Sequence, residues 1–402
     1  MHDIVISGGG IAGLSLALAL RKTLGPQLAI AVLDPDFGRR EANVRASALT
    51  AGSRNLLDAI GIWSEVAEEA QPILEMRITD SRRHDAVRPL FLAFEEPLED
   101  GAPFAWMIQN RRVIEILEAH AASENIKIIP QAISRLDLQE QSANMRLSSG
   151  ERLSAKLLVG ADGVRSRVRT ACGIETVGRD YHRTAIVATL AHEEDHGGVA
   201  VQHFLPPGPF AMLPLTGRRS SIVWTEYADQ AQHYASLPEA EFVAEAERRF
   251  GSSLGALTLE GAPATFPLRV QIARRFTARR VALVGDAAHL VHPLAGQGLN
   301  LGLRDVAALT DALATQVRLG LDPGAESVLR AYERARYFDT AATIAGTDAL
   351  HRLFANDAAP LRLIRDFGLG LVNRMPRLKR VLVREAAGLA GETPALLRGR
   401  LP

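Results

Sequence analysis

A glycine-rich run near the N-terminus has the residue types and spacing of a phosphate-binding turn. Gly8-Gly9-Gly10-Ile11-Ala12-Gly13 follows the apolar residues 4–6 and precedes a stretch with helical periodicity. Gly8 permits a tight turn, Gly10 lets a pyrophosphate approach the backbone, and Gly13 lets the helix pack close to the strand. The N–H groups at the helix N-terminus attract phosphate. Asp34 follows about 20 residues later, where a carboxylate accepts hydrogen bonds from a ribose, so the segment predicts a dinucleotide site.

Two later segments place acidic residues beside glycines where apolar strands end. Residues 157–160 lead into Asp162-Gly163, and residues 280–284 lead into Gly285-Asp286. A strand that ends in Gly-Asp places a carboxylate at the carboxyl edge of a parallel sheet, where ligands bind. The segment Gly296-Gln297-Gly298-Leu299-Asn300 then opens another helix, whose N–H groups can stabilise negative charge on a ligand.

Other chemistries lack the residues that they need. Cys172 is the only cysteine, which excludes an intrachain disulfide or a multi-cysteine metal site. His289 and His292 have no carboxylate or cysteine at ligand spacing, so no metal site is expected. The segment Gly-x-Ser-x-Gly of serine hydrolases is absent. With 46 basic and 46 acidic residues, the charge balance also argues against nucleic-acid binding.

The elements that position these motifs indicate an α/β architecture. Residues 3–6, 28–33, 157–160 and 280–284 are short apolar strands that lead into turns or helices, which is typical of a parallel sheet. Between them, residues 185–190, 199–204, 209–214 and 220–225 read as strands joined by turns. The sequence therefore predicts a Rossmann-type half-domain with an inserted, mostly antiparallel sheet, followed by C-terminal helices.

The three motifs in this order resemble the flavoprotein aromatic hydroxylases, the single-component FAD monooxygenases related to para-hydroxybenzoate hydroxylase. Further segments are similar to the ubiquinone-biosynthesis hydroxylases within that family, and the similarity covers nearly the whole chain. These segments are Arg45-Ala46-Ser47-Ala48-Leu49, Gln109-Asn110-Arg111, Phe266-Pro267-Leu268, Gly285-Asp286-Ala287-Ala288-His289 and residues 295–303.

This resemblance implies a role for each motif in binding FAD without a covalent bond. The first motif, including Ile11 and Ala12, holds the ADP half, and Arg45 meets the pyrophosphate. Asp162 belongs to a segment that touches FAD and supports the use of NAD(P)H. Asp286 holds the ribityl chain, while the turn with Gly296, Gly298, Leu299 and Asn300 meets the isoalloxazine. The remaining expected contacts are Asp34, where the family usually has Glu, a polar side chain from Asn110 or its neighbour Gln109, and Pro293 near the flavin.

The expected domains follow from the same comparison. Residues 1–75, 101–172 and 272–335 form a discontinuous FAD-binding domain, and residues 76–100 and 173–271 form the substrate domain. Residues 336–402 form a C-terminal helical region. The active site is expected between the turn at residues 296–300 and the inserted sheet. Alternation along the strands leaves open whether Phe204, Met212 and Trp224 face it.

The resemblance implies that the protein hydroxylates the ring of a polyprenylated phenol in ubiquinone biosynthesis. NAD(P)H reduces the flavin, O2 adds to form a C4a-hydroperoxide, and the flavin rather than a catalytic triad does the chemistry. Two other enzymes stay open: a soluble hydroxylase of small phenols and a flavin reductase acting on a prenyl chain. A flavin-binding scaffold without activity is the non-enzymatic alternative.

The sequence also bears on location and partners. No basic segment followed by a long apolar run suggests a secretory signal, so a cytoplasmic protein is expected. The basic stretch of residues 374–384 alternates with apolar residues and is compatible with peripheral membrane contact or with a solvated helix face. The resemblance raises a quinone-biosynthesis complex as a partner. Oligomeric state and the choice between NADH and NADPH are not determined by the sequence.

Overall fold

The fold is described from a computed structural model for residues 1–39, 45–80, 90–94, 101–205, 207–291, 296–354, 387–388 and 393–402. Three sheets and their flanking helices make up this part of the chain. The strands, in chain order, are β1 (His2–Ser7), β2 (Ile30–Leu33), β3 (Ala46–Thr50), β4 (Gln71–Ile73), β5 (Glu75–Asp80), β6 (Leu90–Phe94), β7 (Ala105–Gln109), β8 (Lys127–Ile129), β9 (Ile133–Leu138), β10 (Ala143–Leu147), β11 (Arg152–Gly160), β12 (Thr176–His192), β13 (Val199–Leu205), β14 (Gly208–Leu215), β15 (Arg219–Tyr227), β16 (Leu257–Ala273), β17 (Thr277–Ala278), β18 (Val281–Leu283) and β19 (His289–Leu290).

The α-helices, in chain order, are α1 (Ile11–Leu24), α2 (Ala51–Ala59), α3 (Trp63–Ala67), α4 (Asn110–Ser123), α5 (Arg167–Ala171), α6 (Ala228–Ala235), α7 (Glu239–Phe250), α8 (Gln297–Val317) and α9 (Glu326–Phe354). Helices α1, α4 and α8 pack together beside the first sheet, and α6 and α7 pack on the outer face of the second.

The first sheet brings the ends of its parallel strands to one edge. Its main order is β17-β18-β11-β1-β2-β8, and β9 and β10 extend it from β11. In the parallel register, Ser7 lies opposite Leu33 and Gly160, and Gly160 lies opposite Leu283. The turns that follow these four strands therefore meet at the same edge, which is where an open α/β sheet binds ligands.

The central strand of this sheet is apolar throughout because both of its faces are covered. Ile4, Val5 and Ile6 are fully buried, as expected for parallel strands with helices on both sides. On one side, α1 packs against α4 and α8. Gly302 lets α8 approach the turn after β18, because a Cβ atom there would lie 3.2 Å from the Cα atom of Gly285.

The second sheet has the order β19-β16-β12-β15-β14-β13-β5-β6. It is antiparallel except for the β13–β5 pair. The four strands predicted between residues 185 and 225 are confirmed as parts of β12 to β15. The sequence analysis missed α6 and α7, although Phe242, Ala246 and Arg249 repeat at helical spacing and are buried.

The remaining elements join these two sheets. The short sheet β3-β7-β4 contacts β14 through its strands β4 and β7. Helix α9 begins at Glu326, so the expected domain boundary at residue 336 falls inside one continuous helix. Among the described helices, none combines the length and apolarity needed to cross a membrane. The basic stretch at residues 374–384 lies outside the described residues.

Candidate functional site

The first glycine motif forms a tight turn whose glycines do different work. Gly8 has φ +115°, and a Cβ atom there would lie 2.2 Å from the carbonyl oxygen of Ala161. A Cβ atom at Gly13 would lie 1.9 Å from the carbonyl oxygen of Gly8. These two glycines therefore let the end of β11 and the start of α1 close on the turn, as the spacing predicted.

Gly10 instead borders open space. A Cβ atom built on Gly10 meets no atom within 4 Å. Gly10 is also the N-cap of α1, and no side chain caps this helix. Ile11 and Ala12 follow it as the first helical residues. The N-terminus of α1 therefore faces open space that an anionic group can enter. The N–H groups of the first helical turn can donate hydrogen bonds to such a group.

Asp34 lies beside this turn at the end of β2. It is 6% exposed, and its Oδ1 accepts a hydrogen bond from the backbone N–H of Asp36 at 3.0 Å. A Cβ atom at Gly9 would lie 2.5 Å from Oδ2 of Asp34. The glycine run thus makes room for the acid as well as for a ligand, and Asp34 is placed where the sequence predicted.

Asp162 uses both of its carboxylate oxygens inside the protein. Oδ1 accepts from Ser166 Oγ at 2.5 Å, and Oδ2 accepts from the N–H groups of Arg167 at 2.8 Å and Val168 at 3.1 Å. Gly163 follows with φ +76°. These bonds cap the short helix α5 and fix the Asp-Gly turn next to Gly8. In this structure the carboxylate therefore shapes the turn.

We call the region of the turn at residues 8–13, Asp34, Asp286 and the turn at residues 296–300 the cleft. Asp286 and Arg45 interact electrostatically there. Burial raises the pKa of the Asp286 carboxyl, and the positive charges of His289 and Arg45 act in the opposite direction. Burial lowers the pKa of Arg45, opposed by the charge of Asp286. The Arg45 guanidinium also lies 3.8 Å over the ring of Phe266 in β16. Arg45 therefore connects the cleft to the second sheet.

The turn before α8 is held by Asn300. Gly296 has φ +64° and is the N-cap of α8, with no side chain capping the helix. Asn300 Nδ2 donates to the carbonyls of Ala48 at 2.7 Å and Gly296 at 3.0 Å, while Oδ1 accepts from the N–H of Thr50 at 2.9 Å. The Asn300 side chain therefore holds β3 to α8.

The structure favours Asn110 over Gln109 as the inward polar residue. Gln109 is exposed, whereas Asn110 is half-buried and donates its backbone N–H to the carbonyl of Arg45 at 3.1 Å. Oδ1 of Asn110 is buried and has no hydrogen-bonding partner among the residues that the structure describes. A buried acceptor of this kind is stabilised when a ligand donates to it.

The structure shows which face of the second sheet the described side chains occupy. Met212 and Trp224 lie in the core under α6 and α7, so neither lines the cleft. The opposite face carries Leu213 and Leu215, which pack against β3 and β7. Phe204 shares its parity with Ala200 of this inner face. Pro293 and His292 lie outside the described residues.

The sequence analysis missed a buried ionic cluster behind the Gly-Asp turn. His289 Nε2 lies 2.6 Å from Oδ2 of Asp305, and Arg336 Nε donates to Oδ1 of Asp305 at 2.7 Å. Both His289 and Asp305 are nearly fully buried. No local pattern in the sequence indicates a role for Asp305 of α8 or Arg336 of α9. The one available clue is that charged residues are rare on the apolar faces of helices.

These features together fit a flavin dinucleotide. The open space at Gly10 and the uncapped N-terminus of α1 suit a pyrophosphate, and Asp34 suits a ribose. The buried oxygen of Asn110 and the carboxylate of Asp286 offer acceptors to hydroxyl and N–H groups farther along the cleft. The described residues therefore include groups that suit the pyrophosphate, a ribose and hydroxyl groups of FAD.

Comparisons with known proteins agree with this geometry. The fold is that of p-nitrophenol 4-monooxygenase PnpA from Pseudomonas putida DLL-E4, with a TM-score of 0.79, 19% identity, and coverage of 98% of this chain and 99% of that one. A family model described as an FAD binding domain matches residues 1–345. Ubiquinone hydroxylase UbiL of Rhodospirillum rubrum is 44% identical over 405 residues, which cover 99% of this chain and 92% of that protein.

A second relative, the 3-demethoxyubiquinol 3-hydroxylase of Escherichia coli, is 33% identical, with coverage of 96% of this chain and 98% of that protein. The chain therefore belongs to the FAD-binding-domain family and, within it, to the ubiquinone-biosynthesis hydroxylases. The resemblance read from the motifs and the expected fold class are both confirmed, and FAD is the cofactor of this fold.

Proposed function

We propose that this protein is an FAD-dependent monooxygenase that hydroxylates the aromatic ring of a polyprenylated phenol in ubiquinone biosynthesis, using NAD(P)H and O2. The observation that carries the proposal is the 44% identity to a ubiquinone hydroxylase over 99% of this chain. That identity includes the second sheet as well as the FAD-binding part. It therefore supports a similar substrate in addition to a similar cofactor.

The proposed FAD site uses the residues that meet at the edge of the first sheet. The turn at residues 8–13 and Asp34 hold the adenosine and pyrophosphate, with Arg45 compensating the phosphate charge. Asp286 and Asn110 accept hydrogen bonds from the ribityl chain and its surroundings. The turn at residues 296–300 meets the ring. The chemistry supplied by bound FAD is hydride acceptance from NAD(P)H and activation of O2.

The side chains on the inner face of the second sheet are suited to binding an apolar substrate. In cross-strand register, Ala211 pairs with Val223 and Val223 pairs with Val187, which gives a continuous row of small apolar side chains. This row lies between Phe266 and Leu213. The Phe266 ring lies under the Arg45 guanidinium, and Leu213 packs toward the short sheet. We propose that the substrate ring and the start of its prenyl chain lie along this row, opposite the turn before α8.

The described residues of this row bear no charge, and Arg45, which lies at its edge, is assigned to the FAD phosphate. The proposal differs from the small-phenol alternative in this respect. A hydroxybenzoate-type substrate needs a cation to meet its carboxylate. A prenylated phenol needs an apolar wall that orients the ring and excludes water from the reacting atoms. We propose that the second sheet provides this wall and that the first sheet provides the FAD site.

Deletion of the gene, followed by mass spectrometry of the quinone pool, tests the function. The expected result is loss of ubiquinone and accumulation of a prenylated precursor that lacks one ring hydroxyl, restored by the wild-type gene and not by Gly10→Val. An unchanged pool contradicts the proposal. Stimulation of NAD(P)H oxidation by hydroxybenzoate, but not by prenylated phenols, would instead support the small-phenol enzyme. A saturated prenyl product would support the reductase.

A further inference from the structure

Charges of alternating sign run from the flavin cleft to the surface through α8 and α9. Arg45 and His289 both act on Asp286, and His289 Nε2 lies 2.6 Å from Asp305. Asp305 accepts from Arg336 Nε at 2.7 Å. Arg336 then pairs with Asp339, which also lies 3.3 Å from Nη1 of Arg304. A buried charge is tolerated when the next charge compensates it in this way.

Asp305 is the branching point of this series. Besides His289 and Arg336, its Oδ2 accepts the backbone N–H of Gly285 at 2.9 Å. Gly285 directly precedes Asp286. The Asp305 carboxylate therefore holds both the Gly285-Asp286 turn and the imidazole of His289. Nδ1 of His289 is buried without a hydrogen-bonding partner among the described residues. The bond to Asp305 is therefore what orients the imidazole ring.

The charged groups around Asp286 come from five elements. Arg45 precedes β3, His289 lies in β19, and Asp305 and Arg336 reach the turn from α8 and α9. Arg169 of α5 donates from Nη1 to the carbonyl of Ala287 at 2.9 Å. Of these, Arg45 and His289 act on the Asp286 carboxyl by charge. Removing His289 therefore leaves Arg45 as the cation that acts on Asp286.

We propose that Asp305 is a positioning residue for FAD: it holds the Gly285-Asp286 turn through the N–H of Gly285 and orients the imidazole of His289, three residues after Asp286, while Arg336 of α9 balances its charge. This inference rests on the proposed contact between Asp286 and FAD. It makes FAD affinity depend on α9 through Arg336. Burial raises the pKa of Asp305, but His289 and Arg336 outweigh it and leave this pKa below its usual range, so Asp305 is ionised at neutral pH.

Release of FAD from the purified holoprotein tests this role. Free FAD is measured by fluorescence after serial dilution of wild type, Asp305→Asn, His289→Asn and the double variant. Each single substitution is expected to raise the Kd for FAD about tenfold, the loss of one hydrogen bond to a charged group. Because Asp305 acts partly through His289, the double variant should lose less affinity than the product of the two single losses. Independent, multiplicative losses would overturn the proposal.

Tyr332→Phe is the matched control. Tyr332 lies in α9, is fully buried, and donates to the carbonyl of Leu283 at 2.6 Å, but it carries no charge at neutral pH. Its substitution should lower the melting temperature and leave the Kd unchanged. If Tyr332→Phe raises the Kd as much as Asp305→Asn does, loss of general packing explains both and the positioning role is wrong.

The pH profile separates positioning from stability. Loss of the His289 charge removes one influence that lowers the pKa of Asp286. Protonation of Asp286 removes an acceptor for FAD, so affinity falls on the acid side, and in His289→Asn this fall should occur at a higher pH than in wild type. If Asp305→Asn does not fold, this profile carries the test, and a profile that coincides with wild type overturns the proposal. Wild type that retains no FAD would instead overturn the proposed function.

Discussion

Oδ1 of Asn300 accepts hydrogen bonds from both the backbone N–H and the hydroxyl of Thr50, at 2.9 and 3.1 Å. Asn300 opens α8 and Thr50 ends β3, so this pair joins two segments that are 250 residues apart in sequence. The other end of the same amide holds Ala48 and Gly296. Both polar atoms of Asn300 are thus used to fix the wall of the cleft.

Asn300→Ala is expected to destabilise the fold and loosen the FAD site together. It removes bonds to two buried groups of Thr50 and to the part-buried carbonyls of Ala48 and Gly296, which should cost about 2 kcal/mol or more of unfolding free energy. Urea unfolding and FAD content measure the two effects. Asn55→Ala is the control. It removes a part-buried bond to the carbonyl of Leu397 and one from the neighbouring Arg54 side chain, and it should change the unfolding free energy and the FAD content only slightly.

Gly10 and Gly13 should respond differently to the same substitution. Gly10→Val places its side chain in the open cleft, so the protein should fold with a normal melting temperature and purify without FAD. Gly13→Val forces a clash with the carbonyl of Gly8 and should prevent folding. Circular dichroism and flavin absorbance distinguish the outcomes. A yellow, fully flavinated Gly10→Val protein would contradict the placement of FAD.

The ionised Asp286 carboxylate is expected to lower the stability of the fold and to contribute to FAD binding. Burial raises the pKa of this carboxyl in the folded protein, so ionisation at neutral pH disfavours folding, and stability is gained as the pH falls through the raised value toward the unfolded pKa of about 4. Asp286→Asn should therefore raise the melting temperature of FAD-free protein at pH 7 and weaken FAD binding. The stability difference should shrink as the pH falls. A less stable variant at pH 7 would show that its charge partners outweigh burial.

Val223 tests the inner face of the second sheet. Val223→Phe enlarges a residue in the proposed substrate row and should raise KM for a prenylated phenol about tenfold while leaving FAD content unchanged. Val177→Phe is the control, because Val177 belongs to the same sheet but is 49% exposed. If Val223→Phe and wild type have equal steady-state kinetics, the substrate does not bind along this row.

Local patterns in the sequence were sufficient for the first glycine turn and for the strands β1, β2, β11 to β15 and β18. The turn at Gly8 needs positive φ, the helix after it needs a close approach at Gly13, and both requirements are visible in a six-residue segment. Helices α6 and α7 were missed because their polar faces resemble loop composition, although Phe242 and Ala246 carried the helical spacing.

By itself, the sequence determined a dinucleotide site, the βα units that hold it, and the inserted sheet, because these depend on turn chemistry and on short-range periodicity. The choice of FAD came from the resemblance to a known family. The tertiary structure decided the rest. It turned Met212 and Trp224 away from the cleft, used Asp162 as a helix cap, and joined His289 to Asp305 and Arg336. Strand facing and buried ion pairs depend on contacts between distant segments, and these contacts exist only once the sheets and helices have packed.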